Sequence, residues 1–230
     1  IAILLLLAGL NPDPDALIAE GRYEEARTAL SATLEATEAP TERARLLDRI
    51  GQTWLFEGRW WKAESYFARS LDAVETADAH LHRGQAYFGA GRAATLDGTA
   101  LGAEIRSLMN DAAREIRRAV EMRRGDAAAW VALGLAERYR LDTEAEIVAL
   151  KKALELAPGH PEAAIHLAWR LAQQGDPKAA REILLSVREE ERSTDHWKRL
   201  GRLAAGAGED DVAVDCYTRA GLSDPNDRQV

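Results

Sequence analysis

The sequence predicts an all-α chain of stacked helical hairpins, an α-solenoid of about five to six units. Three observations predict it: a recurring phrase of spaced apolar residues, a period near 34 residues, and glycines or prolines at regular turn positions. Paired short helices that repeat at this period bury apolar surface mainly against their neighbours. Such a chain extends as an array and needs no central core.

The recurring phrase places a small residue in the first helix of each hairpin and an aromatic residue in the second. It is clearest in two places: Leu47, Ile50, Gly51, Trp54, Gly58, Ala63 and Phe67, and again Trp197, Leu200, Gly201, Ala204, Gly208, Ala213 and Tyr217. A small residue lets the partner helix come close, and a large neighbour fills the space beside it. Each phrase therefore predicts one hairpin.

The hairpins follow one another along the chain. A degenerate unit with a turn at Gly21 stops before Pro40, and complete hairpins follow at about 44–76, from His80, from Trp130 to Pro158, from Leu167 to Val187, and up to Pro225. Gly58, Gly91, Gly175 and Gly208 are expected at inter-helix turns, where a left-handed residue ends a helix. Pro158 and Pro225 close hairpins because proline cannot continue the preceding helix.

The third hairpin carries an insertion at about residues 93–110. Between Gly91 and Ala112 it has roughly 16 residues more than the period allows. Apolar residues nevertheless recur there at intervals of three and four: Leu101, Ile105, Leu108, Ala112, Ile116 and Ala119. We therefore expect an extended second helix that starts near Thr99, after a turn at 96–98, and runs to about Arg123.

This pattern resembles the tetratricopeptide repeat over nearly the whole chain, from about residue 15 to 227. The resemblance implies a right-handed superhelix whose first helices line a concave groove that binds peptides or partner helices, and it implies no chemistry. One residue departs from the pattern. Glu146 stands where a small residue is expected early in a second helix, so its hairpin is expected to pack slightly offset.

The predicted protein-binding groove is the exposed stripe of the first helices. If these helices face inward as the resemblance implies, the stripe consists of Gln52, Leu55, Leu81, Gln85, Phe88, Val131, Leu135, Arg138, Ile165 and Trp169. It is more apolar than a solvent-facing surface needs to be, which is typical of an interaction site. The alternative is that these side chains pack between adjacent repeats.

Residues 1–14 form an apolar N-terminal segment that begins IAILLLLAGL. Ten apolar residues cannot cross a hydrocarbon layer of ~30 Å, which takes about 20 helical residues. Two interpretations are open. The segment is the remnant of an export signal or membrane anchor, which favours a cell-envelope location, or it is a docking segment whose contacts come from Ile3, Leu4, Leu5, Leu6 and Leu7.

The sequence offers no catalytic, cofactor-binding or metal-binding motif. A net charge of −8 disfavours nucleic acid as a partner. The stretch Gly89–Ala94 fits a dinucleotide fingerprint in letters, but it ends a predicted helix and follows no strand. The five histidines lack metal-ligand spacing, and the lone cysteine, Cys216, is expected to be a buried hydrophobe.

The sequence therefore predicts a non-catalytic scaffold, bacterial and associated with the cell envelope, that binds a peptide or helix of a protein partner and needs no cofactor. The alternative is a structural subunit that assembles head to tail into a ring or filament. Two features favour the alternative: the N-terminus is apolar, and the last hairpin ends without a polar capping helix. Two different adhesive ends make a heterologous contact between copies of the chain.

Overall fold

The computed structural model describes residues 13–98 and 102–223, and these residues form twelve α-helices and no strand. In chain order the helices are α1 (Pro14–Ala19), α2 (Tyr23–Glu35), α3 (Pro40–Phe56), α4 (Trp60–Ala73), α5 (Ala77–Asp97), α6 (Gly102–Met122), α7 (Ala127–Tyr139), α8 (Thr143–Leu156), α9 (Pro161–Gln173), α10 (Pro177–Leu185), α11 (Thr194–Gly206) and α12 (Asp210–Ser223). A short 3-10 helix lies between α10 and α11. The predicted fold class, an all-α solenoid of helical hairpins, is confirmed.

The helices group into two compact units. The first contains α1 to α6 together with residues 139–141, and the second contains α7 up to residue 138 and α8 to α12. Within the units consecutive helices pack as hairpins, among them α3 with α4, α5 with α6, α9 with α10 and α11 with α12. That residues 15–230 form one continuous solenoid stays a prediction.

The N-terminal segment lies outside the described residues, and so do its predicted contacts from Ile3 to Leu7. Across residues 13–98 and 102–223, no helix combines the length and the hydrophobicity that a membrane span requires.

Local signals fix where the helices begin. The Thr76 hydroxyl accepts a hydrogen bond from the backbone N–H of Ala79 at 3.2 Å, and the Asp176 carboxylate accepts one from Ala179 at 2.9 Å. These side chains cap α5 and α10 by satisfying an N–H that has no partner inside the helix. Proline occupies the start of α3, α9 and α10, where its missing N–H costs nothing.

The turns between paired helices use a left-handed residue. Gly58, Gly175 and Gly208 have φ values of 69°, 85° and 75°, as expected for residues that end a first helix. Leu141 occupies this turn between α7 and α8, with φ 64° and a side chain that is 87% exposed. A left-handed conformation costs a side-chain-bearing residue about 1 kcal/mol, so this turn is locally strained.

The paired helices meet at positions that have no room for a side chain. A Cβ added at Gly84 of α5 would lie 2.5 Å from Cγ1 of Ile116 and 3.0 Å from the backbone oxygen of Ala112, both on α6. A Cβ at Gly134 of α7 would lie 2.8 Å from Cγ of Leu150 on α8. The prediction that small residues permit close helix contact is confirmed.

The insertion lengthens both helices of the third hairpin. Helices α5 and α6 have 21 residues each, and Gly98, with φ 63°, follows α5. The interpretation of Gly91 as a turn residue is wrong: it is buried inside α5, and a Cβ there would lie 2.6 Å from Cε of Met109. A small residue suits close packing as well as a turn, and the sequence pattern did not separate the two uses.

Substituting Gly84 tests the close contact between α5 and α6. We expect Gly84→Ala to lower the free energy of unfolding by about 2 kcal/mol, because the added methyl meets backbone that cannot rotate away. Gly221 is helical in α12 with nothing within 4 Å of its Cβ position, so Gly221→Ala should raise stability by about 0.5–1 kcal/mol. Urea unfolding of both variants measures the difference, and equal effects would contradict the packing described here.

Candidate functional site

The predicted groove residues of the first unit lie on α3 and α5. Leu81 is buried, with 9% of its surface exposed, so its predicted exposure is wrong. Leu55 is partly buried and packs against the core cluster around Phe67. Gln52, Gln85 and Phe88 are half-buried, and whether they bind a partner stays a prediction.

Polar side chains dominate this face of the first unit. The amide nitrogen of Gln52 donates to Oδ2 of Asp48 at 2.7 Å, and Nδ1 of His82 lies 2.9 Å from Oδ1 of the same carboxylate. Asp48 is only 9% exposed, so the network joins α3 to α5. The face is therefore less apolar than the predicted stripe.

The predicted groove residues of the second unit lie on α7 and α9. Val131 is buried among Leu150, Ala163 and Leu167, so its predicted exposure is wrong, because α8 and α9 cover it. Leu135, Arg138, Ile165 and Trp169 are half-buried.

Trp169 of α9 is held by two arginines. The guanidinium carbon of Arg138 lies 3.7 Å from the centroid of the Trp169 ring, and that of Arg170 lies 4.8 Å away. A guanidinium over an indole ring is attracted by the negative face of the ring. The structure thus brings Arg138 and Trp169 together, as the predicted stripe required.

A buried ion pair fixes Arg170 in turn. Its Nε donates to Oε2 of Glu146 at 2.8 Å, and its Nη2 donates to the same oxygen. Glu146 is fully buried, and its other oxygen has no hydrogen-bond partner among the described residues. The residue that departs from the repeat pattern therefore links α8 to α9, while α7 and α8 stay in close contact at Gly134.

A small pocket lies beside Trp169, with a volume of about 140 Å³. Its lining combines apolar side chains with two guanidinium groups: Ala168, Trp169, Ala172, Leu184, Leu203, Arg199 and Arg202. The pocket is large enough for one apolar side chain, and the arginines supply planar donors that match carboxylate groups.

His166 of α9 lies among charged side chains from three helices, α7, α9 and α11. Burial, together with the positive charges of Arg138 and Arg199, lowers the pKa of this imidazole to about 4. The neutral ring accepts a hydrogen bond at Nδ1 from Nη1 of Arg138, at 3.2 Å. Two carboxylates face the same ring: Glu162 is 3.9 Å from Nε2, and Asp195 opposes the lowering of the pKa. The positive charges outweigh them.

Three residues of α11 that line the pocket were not among the predicted groove residues: Arg199, Arg202 and Leu203. A signal for Arg202 was present, because it follows Gly201 as Trp169 follows Ala168 and as Leu135 follows Gly134. Extending the stripe by one more repeat would have found it. Leu184 of α10 lines the same pocket, but no repeated position in the sequence predicts this.

Two other histidines and the cysteine serve structural roles. His160 caps α9 at the backbone N–H of Ala163, and His196 bonds to the backbone oxygen of Pro161. Burial raises the pKa of the Cys216 thiol, which disfavours the reactive thiolate. Within the part of the chain that the structure describes, no group of three His, Cys, Asp or Glu residues is placed to hold a metal ion.

A comparison with protein-family models now identifies the repeat. Residues 143–203 match the tetratricopeptide repeat, and this stretch covers α8, α9, α10 and most of α11. Residues 143–203 therefore carry tetratricopeptide repeats. The matched stretch contains Trp169 and all the other residues that line its pocket.

Solved structures of tetratricopeptide repeat (TPR) proteins share the fold. MamA from Desulfovibrio magneticus aligns with a TM-score of 0.59 and 20% identity over 89% of this chain and 96% of that one. A thermophilic TPR protein of Thermus thermophilus aligns at 0.58, with 19% identity, over 81% and 94% of the two chains. YrrB, described as a TPR protein with an unusual peptide-binding site, aligns at 0.55, with 17% identity, over 86% and 94%. Curated protein sequences give no match.

The pH dependence of stability tests the environment of His166. Because its native pKa lies below the ordinary value of 6.5, the unfolded chain binds more protons between about pH 6.5 and 4. The contribution of neutral His166 to the free energy of unfolding is therefore complete above pH 6.5 and is lost as the pH falls towards 4. We expect His166→Gln to reduce the loss between pH 7.5 and 4.5 by about 2 kcal/mol, measured by urea unfolding. An equal loss in both proteins would show that His166 titrates normally.

Proposed function

We propose that this chain is a non-catalytic scaffold that binds a protein segment on the second unit, on the surface of α7, α9 and α11 centred on Trp169. The observation that carries the proposal is the pocket of about 140 Å³ beside Trp169, in which apolar walls meet two guanidinium groups. Half-buried tryptophan and arginine are the residue types that contribute most to protein interfaces. The TPR fold is in general a scaffold for protein interactions, and YrrB is described as having a peptide-binding site.

The chemistry of the pocket specifies the partner segment. An apolar side chain of the partner fills the space between Trp169 and Leu203, and acidic side chains on either side of it bind Arg199 and Arg202. Arg202 is exposed, whereas Arg199 donates to Asp195 at 2.8 Å and has further donors for a second carboxylate. Charge-assisted bonds of this kind are about twice as strong as neutral ones.

We also propose a location in the cell envelope, with a bacterial origin. The apolar sequence of residues 1–10 supports it, because such a run is typical of an export signal or an anchor.

Fluorescence anisotropy with two labelled decapeptides tests the binding surface. The acidic probe alternates Leu and Glu, and the cationic probe alternates Leu and Arg. Trp169→Ala should weaken binding of the acidic probe at least tenfold, which corresponds to about 1.4 kcal/mol, while helicity by circular dichroism is retained. The matched control is Trp61→Ala, which removes an exposed tryptophan of the first unit.

The acidic probe should bind the Trp61→Ala control as it binds the native chain. If it binds the Trp169→Ala variant equally well and only the melting temperature falls, Trp169 is a core residue and the proposal is wrong.

Head-to-tail self-assembly is a second candidate function. The observation that favours it is the surface of α12, where Val214 is 65% and Leu222 is 76% exposed. Light scattering should then give a mass above that of the monomer, and both removal of residues 1–10 and the change Leu222→Glu should reduce it. Leu96→Glu, a control at a leucine that is 80% exposed on α5, should leave the mass unchanged. A monomer in every form would exclude assembly.

A further inference from the structure

A second cavity lies in the first unit, where α4, α5 and α6 meet. Its volume is about 640 Å³, and small or apolar residues of α5 and α6 form part of its lining. The lining also includes aromatic and acidic side chains: Trp60, Trp61, Tyr87, Asp97, Glu104 and Asp111. None of these residues belongs to the surface around Trp169. The cavity therefore calls for a separate explanation.

The aromatic wall contains one ring that packs against a helix and one that is exposed to solvent. The ring of Trp60 packs closely against α5 at Gly89. A Cβ added at Gly89 would lie 2.4 Å from Cε3 of that ring. Trp61, the next residue, is 60% exposed and meets the ring of Tyr87 edge to face, with centroids 6.4 Å apart. An exposed tryptophan beside a second aromatic ring is unusual on a surface that contacts only water.

Tyr87 is held in place by its hydroxyl group. The hydroxyl donates to Oε1 of Glu64 at 3.0 Å, and Nη2 of Arg83 binds the same carboxylate oxygen at 2.7 Å. Because Glu64 is engaged by both groups, it holds the ring at a fixed angle to Trp61.

The acidic wall comes from the lengthened hairpin. Asp97 ends α5 and Glu104 lies in the first turn of α6, so both belong to the turns that the insertion adds. Asp97 is exposed, and it lies at the helix end where the backbone dipole is also negative. Asp111 is partly neutralised, since it accepts a hydrogen bond from Arg114 at 2.6 Å. Asp97 thus supplies an exposed carboxylate to the same cavity as Trp61.

We propose that this cavity binds a cationic segment of a protein partner, with a lysine or arginine side chain placed against Trp61 and next to Asp97. Aromatic faces and carboxylates attract the same ligand, a cation, whereas an anionic or neutral segment gains nothing from the carboxylates. The net charge of −8 also steers basic partners towards the chain. The site is distinct from the arginine-lined pocket of the second unit and has the opposite preference.

The cationic probe described above tests this site. Trp61→Ala and Asp97→Lys should each weaken its binding at least tenfold. A lysine at the last residue of α5 is favourable for the helix dipole, so loss of binding in Asp97→Lys does not arise from unfolding. The control is Asp72→Lys, which makes the same charge change near the end of α4, about 16 Å along the helix from Trp61, and should lower affinity less than threefold.

The outcomes separate this site from the one around Trp169. Trp169→Ala should bind the cationic probe normally, and Trp61→Ala should bind the acidic probe normally. Equal weakening by Asp97→Lys and Asp72→Lys would mean that only net charge matters, and the proposal would be wrong. It would also be wrong if Trp61→Ala lowered the mass in light scattering without changing probe binding, because the occupant would then be a second copy of the chain.

Discussion

Close backbone contact within each hairpin is the constraint on which the rest of the structure depends. Gly84 lies against Ile116 and Gly134 lies against Leu150 at distances that exclude any side chain on the glycines. This contact fixes the rotation of the first helix about its own axis. Consecutive helical residues are about 100° apart, so the residue after the small one is turned away from the second helix.

That next residue therefore decides the chemistry of each repeat without altering its fold. The series along the chain is Gln52, Gln85, Leu135, Trp169 and Arg202. In the first unit the position is polar, and Gln52 bonds to Asp48. In the second unit it is apolar at Leu135 and Trp169 and cationic at Arg202, and Trp169 and Arg202 line the pocket for which we propose an acidic, partly apolar segment.

The lengthened hairpin adds a different surface to the same scaffold. The added turns of α5 and α6 contribute Asp97 and Glu104 to a cavity that also contains Trp61. The insertion thus changes the chemistry of the surface as well as the length of the hairpin. It adds two carboxylates to a cavity with aromatic rings, and a hairpin of ordinary length would lack them. The two proposed binding surfaces thus differ in the charge of the segment that we expect each to prefer.

The sequence predicted the helical pairs, the small contact residues and the extended helix, because each depends on spacing along one helix. The sequence did not predict which side chains are covered by a neighbouring helix pair. Leu81 and Val131 fit the exposed stripe by spacing, yet both are buried, and for Val131 the covering residues on α8 and α9 lie 19 or more positions away in sequence. The pocket beside Trp169 and the cavity beside Trp61 were not predicted, since each is formed by side chains from three helices. The role of the N-terminal segment stays a prediction, because residues 1–12 lie outside the described part of the chain.

Hydrogen exchange measured by mass spectrometry, with and without the acidic probe at saturation, tests the central claim most directly. We expect slower exchange in residues 161–173 and 194–206, which carry Trp169, Arg199 and Arg202, and unchanged exchange in the second helix 143–156. Slower exchange confined to 143–156 and 177–185, or unchanged exchange throughout the second unit, would contradict it.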